Sequence, residues 1–310
     1  GWRDWPEAYH DPRGPAVAAF AAEQAAEVEF HLFAQWLARE SMARVQADAR
    51  QAGMAVGLLA DLAVGVHRGG ADSWAMRDAM LEGLTIGAPP DPLGPLGQNW
   101  MLTGFSPQGL RRSGYAPFIA MIRAALASAG GLRIDHAFGL ARLWVVPEGE
   151  ESSQGAYLAY PFADLIRLIA LEAHHAKALI VAEDLGTMPW GFGEAVADKQ
   201  MLGMRVLWFE RAADGGFIGG KDYAPGSVAM TGTHDTATVA GWWSGRDLEW
   251  AQRLGRLSGT PEDAAEQRDW DRGLLWATLT HDRSPRPSAD DPAPVVEAAL
   301  RHIGASASRL

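Results

Sequence analysis

Cysteine is absent from all 310 residues. No disulfide framework and no thiolate metal site can therefore organise the chain, a composition that fits the reducing cytoplasm. Missing too are a secretory apolar core and any uninterrupted apolar run of about 20 residues, so a soluble protein without a membrane partner is expected. Positive charge is scarce: 27 Lys and Arg stand against 38 Asp and Glu, a formal net charge of −11. Such a chain repels phosphate backbones, and no Lys/Arg cluster overrides the balance, so nucleic acid is not an expected partner. The HxH and HExxH spacings of metal sites are absent as well, which argues against a metal.

What is present is apolar and aromatic. A hydrophobic share of 48% over this length can fill two ordinary domains or one α/β barrel, which needs about 250 residues. Thirteen tryptophans are many. Most are expected to serve as core, and the remainder would suit stacking on the apolar faces of sugars.

Periodicity selects between the architectures. Residues 15–51 carry apolar side chains at helical spacing behind Pro15 and ahead of Gly53, which predicts one long helix or two abutting ones. The run "MAVGLLADLAVGV" then reads as a strand buried on both faces, ending near Asp61. The same punctuation recurs at "GGLRIDH", "KALIVAEDLG", "MRVLWFE" and "GSVAMTGTHD", with helical stretches at 115–129, 162–176, 190–202 and 246–257. Strand and helix alternating in this way predict a parallel (β/α)8 TIM-type barrel with insertions in its βα loops. Five strands are evident where a barrel needs eight. The expectation is thus one catalytic barrel piece over 1–310, lacking its first and last strands, with "GASASRL" as the approach to a further strand. Residues 62–114 read as a Gly/Pro-rich insertion able to act as a lid, within which "GAPPDPLGPLGQNW" is not expected to form regular structure; 140–160 reads as a long loop, and "DRSPRPSADDPAP" at 282–294 as a linker.

Asp135, Glu183 and Asp235 each stand where a core strand gives way to a loop, the catalytic rim of barrel enzymes. Three carboxylates on separate strands, joined by Arg133, His136 and His234, point to chemistry on a polar substrate. A buried ion-pair network is the structural alternative. In "GLRIDH", Arg133 precedes Asp135 by two positions, so both side chains leave the same face of the strand. A guanidinium there would keep the aspartate ionised, as a nucleophile requires. Glu183 follows four apolar residues in "LIVAEDLG", and desolvation there would raise its pKa and retain a proton for donation. Alternation sends Asp184 to the opposite face. Asp235 and His234, in "TGTHDTAT", could bridge the vicinal hydroxyls of a sugar.

The motifs "GLRIDHAFGL", "VAEDLGT", "VLWF" and "GTHDTATVAGWW", in this order and spacing, resemble the amylomaltase or disproportionating-enzyme family of 4-α-glucanotransferases, a retaining branch of the α-amylase clan. "FAQWL", "LLADLAVGV", "GAPPDPLGPLGQNW" and "GYAPF" extend the likeness across most of the chain. The resemblance implies that Asp135 is the nucleophile, Glu183 the acid/base and Asp235 the third, transition-state-stabilising carboxylate. It implies further that Arg133 and His234 hold the nucleophile and the sugar, and that Asp61 ends the third barrel strand. Gln98 and Trp100 then belong to a loop that folds over the glucan, and Phe209 to the acceptor side. Met101 follows Trp100 where the family usually has glycine. Transfer of α-1,4-glucan segments through a glycosyl-aspartate, without a cofactor, is the implied reaction, with carboxyl groups about 5–5.5 Å apart. An α-amylase-type hydrolase and a non-catalytic glucan-binding piece are the alternatives.

Overall fold

The computed structural model describes residues 1–90, 96–257, 259–280 and 284–309. The chain divides into two compact units, Gly1–Met201 and Leu202–Leu310.

In the first unit the pattern over 15–51 resolves into two helices, α1 (Pro15–Glu23) and α2 (Ala25–Gln51), separated at Gln24, whose φ of −102° and ψ of 35° leave the helical region. No side chain of α2 is buried, and Phe30, Phe33 and Trp36 lie exposed on it. There follow β1 (Leu59–Leu62), β2 (Val66–His67), α3 (Ala71–Ala75), β3 (Leu84–Ala88), β4 (Gln98–Thr103), α4 (Pro107–Arg112) and α5 (Ala116–Leu126). Next come β5 (Gly131–Ile134), β6 (Arg142–Pro147), β7 (Ala156–Ala159), α6 (Phe162–Ala176), β8 (Leu179–Ala182) and α7 (Phe192–Asp198).

Strands β1, β5 and β8 pair in parallel, with Asp61, Arg133 and Val181 on one rung. Since side chains alternate, this register sorts the residues by face. Leu132, Ile134, Ile180 and Ala182 turn toward α5 and α6, where Ile122, Leu165 and Ile169 complete a buried core. Removing each of the larger side chains from water stabilises the fold by about 1.5–3 kcal/mol. The other parity carries Asp61, Arg133, Asp135, Val181 and Glu183.

The remaining strands of this unit form an antiparallel sheet in the order β2-β4-β3-β6-β7, packed on Leu81, Ile86, Leu143 and Val145. This corrects two expectations. "GAPPDPLGPLGQNW", expected to lack regular structure, holds the end of β3 and the start of β4, and the supposed loop 140–160 supplies β6 and β7. The runs are short and fenced by Gly and Pro, so turn signals masked a period-two pattern: Leu143 and Val145 face inward while Arg142 and Trp144 are only half buried. Residues 91–95 of "GAPPDPLGPLGQNW" lie outside the described residues.

The second unit holds β9 (Gly203–Val206) and β10 (Ser227–Met230), paired in parallel from Gly203 opposite Ser227, then α8 (Val239–Ser244), α9 (Arg246–Arg253), α10 (Pro261–Thr280) and α11 (Ala293–Gly304). Its core gathers Leu207, Trp243, Leu275, Val295 and Ala299. All five parallel strands expected from the sequence are present. Helices α10 and α11 were not expected. The first half of α10, "PEDAAEQRDWD", is charged throughout, and its buried apolar residues, Leu275 and Leu279, come only in its last turns. Residues 293–294, read as linker, begin α11; 282 and 283 lie outside the described residues. "GASASRL" opens on the last residue of α11 and continues as bends through Ser308, with no strand through Arg309.

The tryptophans also depart from expectation. Trp242 and Trp243 are buried, whereas Trp5, Trp36, Trp190, Trp250 and Trp270 are exposed. Among the described residues no helix is long and apolar enough to cross a membrane.

Candidate active site

At the carboxyl ends of β1 and β5, Arg133 stands between two carboxylates. Its Nη1 donates to Asp61 Oδ1 at 2.7 Å, and its Nη2 lies 3.0 Å from Asp135 Oδ1. The guanidinium side chain is 13% exposed, against 52% for Asp61 and 35% for Asp135. Burial, the largest single influence, pulls the Arg133 pKa down. Asp61 and then Asp135 together outweigh it, so the net shift is upward and the cation is locked in place.

The backbone fixes these groups as firmly as the ion pairs do. Parallel pairing continues one residue past each strand: the Asp135 amide donates to the Leu62 carbonyl at 3.0 Å and the Glu183 amide to that of Ile134 at 3.0 Å. The Ala137 amide donates to the Glu183 carbonyl at 3.1 Å. Asp135 and Glu183 thus occupy the last anchored rung of adjacent strands.

Glu183 is 9% exposed. Desolvation raises its pKa, and the charge of Asp135 adds to the rise. The Leu185 amide, donating to Glu183 Oε1 at 3.0 Å, opposes it without reversing it. On one rim, then, stands an ion-paired carboxyl beside a buried one whose pKa is raised, two unlike environments of the kind glycoside chemistry needs.

His136 adopts left-handed backbone geometry, φ 45°. Burial lowers its pKa, with Asp135 acting in the other direction. The ring meets Trp100 edge to face at 5.3 Å, and Trp100 Nε1 donates to Gln98 Oε1 at 3.0 Å. Trp100 reaches this position through an irregularity in β4. Ile86 pairs with Leu102 but Gly87 pairs with Asn99, so Trp100 and Met101 are extra on the β4 side. Gly87 is required there, since a Cβ would lie 2.0 Å from the Gln98 carbonyl oxygen. Met101 takes φ 58°, a conformation glycine adopts more readily, and its amide is held by Asn99 Oδ1 at 2.9 Å.

Seven of the ten site residues read from the sequence therefore lie in the first unit: Asp61, Arg133, Asp135 and Glu183 at the strand ends, His136 beside them, and Gln98 and Trp100 on β4. The other three belong to the second unit. His234 and Asp235 follow β10 in an exposed turn, with Nε2 3.1 Å from Asp235 Oδ2. Phe209, half exposed, lies in the turn after β9. Two supporting groups escaped sequence reasoning. One is the Leu185 amide. The other is Trp208, stacked on Trp242 at 4.9 Å and donating from Nε1 to the Ala237 carbonyl at 3.0 Å, which ties down the loop bearing His234. Only the tryptophan in "VLWF" could have signalled it.

Comparison with known proteins identifies the family. A family profile described as 4-alpha-glucanotransferase matches residues 1–310. The 4-alpha-glucanotransferase of Mycobacterium tuberculosis strain H37Rv is 39% identical over 318 aligned residues, which take in 100% of this chain and 43% of that protein. That of Haemophilus influenzae is 38% identical over 283, covering 91% and 40%. Among solved structures, the amylomaltase of Corynebacterium glutamicum superposes with a TM-score of 0.85 at 32% identity, covering 90% of this chain and 41% of its own. At 18% identity, the amylomaltase of Streptococcus agalactiae in complex with acarbose shares the fold, with a TM-score of 0.78 over 99% of this chain and 57% of its own. The chain thus spans less than half the length of the curated relatives named here.

Proposed function

Because the chain belongs to the 4-alpha-glucanotransferase family, we propose that its protein transfers α-1,4-glucan segments between oligosaccharides by retaining double displacement. The observation that carries this is the Arg133 fork between Asp61 and Asp135, with a buried Glu183 of raised pKa level with Asp135 on the adjacent strand.

In the first half-reaction the Asp135 carboxylate attacks the anomeric carbon of the donor while Glu183 gives its proton to the glycosidic oxygen. The C–O bond breaks, the reducing-end piece leaves as a free 4-hydroxyl, and a glycosyl ester remains on Asp135. In the second, the 4-hydroxyl of an acceptor glucan gives its proton to Glu183 and displaces Asp135, so two inversions leave the α-configuration intact. Arg133, 3.0 Å from Asp135 Oδ1, aims that carboxylate in both steps. For Asp235 and His234 the family resemblance supplies the role, holding the sugar's vicinal hydroxyls; for Phe209 it is the acceptor side. Gln98 and Trp100 on β4 act as the covering strap of a lid spanning 62–114, which keeps water from the ester until an acceptor arrives. The chemistry uses side chains alone and no cofactor.

Incubation of the intact protein with maltotriose tests the reading. Glucose together with chains longer than the substrate is expected, with the new glycosidic linkages in the α-configuration by NMR. Products that are only shorter than the substrate would make the protein a hydrolase, and no turnover beside intact glucan binding would make it a binding protein.

A further inference from the structure

Helix α10 has two unlike faces. Arg268, Leu275 and Leu279 are buried, Arg268 donating to the Trp242 carbonyl at 2.6 Å and to both oxygens of Asp247 at 2.7 Å. Trp270 lies five residues before Leu275, about 140° around the helix from it, and is 67% exposed. It is therefore no core tryptophan, although the helix would form as well with a polar residue there.

The ring belongs to a cleft of about 640 Å³ that also takes in Glu266, Gln267, Gly273 and Arg286. Glu266, Gln267, Trp270 and Gly273 follow at helical spacing along one stripe. Arg286 is pinned at the same place, its Nη2 at 2.9 and 3.1 Å from the two oxygens of Asp269 and its Nη1 donating to the Asp269 carbonyl at 2.8 Å. Gly273, one turn beyond Trp270, brings no side chain of its own to the cleft, and Arg286 Nη1 would stand 3.7 Å from a Cβ there. The cleft thus sets a bare aromatic face beside a carboxylate, an amide and a fixed guanidinium.

We propose that the Trp270 cleft is a second glucan-binding site, a platform for long α-glucan chains. The C–H face of a glucosyl ring would lie on the indole, and its hydroxyls would bond Gln267, Glu266 and the Arg286 N–H groups. An anionic ligand would meet Glu266 and Asp263 of the same cleft. An apolar protein partner would find a single ring among charges. The inference rests on the glucan reading given above.

Affinity electrophoresis of the intact protein in gels containing amylopectin, run beside the maltotriose assay, tests it. Trp270→Ala is expected to weaken polysaccharide retention about tenfold, Trp270→Phe to restore most of it, and Gln267→Ala to weaken it by a smaller factor, all with maltotriose turnover unchanged. Retention by Trp270→Ala equal to wild type overturns the proposal, as does a changed oligomeric state with retention intact, which would mark a protein contact. So does a parallel fall in maltotriose turnover in both alanine variants. Wild-type protein that turns over no maltotriose while Trp270→Ala loses retention would instead sink the transferase reading and leave the cleft standing.

Discussion

Replacing Arg133 by methionine keeps the aliphatic stem and deletes the cation shared by Asp61 and Asp135. Hydrogen bonds to charged groups contribute about 1.5–3 kcal/mol when shielded, and exposed ion pairs about 0.2–1. Asp61 is 52% and Asp135 35% exposed, so the two contacts of Arg133 belong toward the lower range. The loss in stability should be about 1–2 kcal/mol, or roughly 2–8 °C in melting temperature for a chain of this size. Catalysis should suffer far more, because Asp135 loses the ion-pair partner that aims it. Removal of one preorganised electrostatic partner typically lowers kcat by about 10²–10³. Arg133→Lys keeps the charge but not the fork, since one ammonium is a point donor where the guanidinium spans two strands. It should recover most of the stability and leave a deficit of about tenfold in kcat. Initial rates on maltotriose with scanning fluorimetry read both effects. A methionine variant within about threefold of wild-type kcat/KM would refute the claim that Arg133 organises the nucleophile.

Glu183→Gln should reduce kcat by about 10²–10⁴ at neutral pH through loss of the proton donor, measured on the same substrate. Since burial raises the Glu183 pKa, the folded state binds its proton more tightly than the unfolded chain. That stabilisation is whole below the ordinary 4.5 and lost as pH rises through the raised value. The glutamine variant should therefore melt higher than wild type at pH 7, and wild-type kcat/KM should fall on the alkaline side as the same proton leaves; equal melting temperatures would count against a desolvated carboxyl. Trp100→Ala removes the edge contact with His136 and the strap over the site, and should raise KM about three- to tenfold with little change in melting temperature, as steady-state kinetics would show. Lys177, at φ 53°, ends α6 in the left-handed region while the Ala178 amide donates to the Ala173 carbonyl at 2.9 Å. Lys177→Gly should stabilise by about 0.5–1 kcal/mol in urea unfolding, glycine being the residue this helix end favours.

The parallel strands and their acidic ends were legible in the sequence because both signals are local. A short apolar stretch with an acidic residue at or soon after its end needs no knowledge of its neighbours: β8 shows it as "LIVAE", while Arg133 interrupts β5 and four residues separate β10 from Asp235. The unequal environments of the carboxyls were legible too, since Arg133 and Asp135 share a parity and Glu183 ends "LIVA". What stayed hidden depends on pairing across distance. Strand β6 alternates over only six residues and acquires its meaning from β3, which lies far back along the chain, as much as from neighbouring β7. The two extra residues in β4 exist only relative to β3, so nothing in "QNWM" shows that Trp100 will turn onto His136. Helix α10 hid for the opposite reason, its charged first half advertising no buried face.

These two kinds of information have different mechanical consequences for the rim. Side-chain identity decides which charges are present, but their spacing is a property of the ladder. Asp61 and Arg133 meet because register puts them on one rung, and Asp135 and Glu183 are level because hydrogen bonding runs one residue beyond each strand. A substitution that slipped β5 by one residue would keep every acidic residue of the chain and turn the Arg133–Asp135 face into the core, burying both charges and exposing Leu132 and Ile134. The cost of burying that pair among Ile122 and Ile169, several kcal/mol per ion, is of the same order as the whole stability of a domain. The apolar parity of β5 therefore protects the catalytic geometry as effectively as the ion pairs do. Leu132→Asn, a change that never touches substrate, should damage activity and fold together where Arg133→Met separates them.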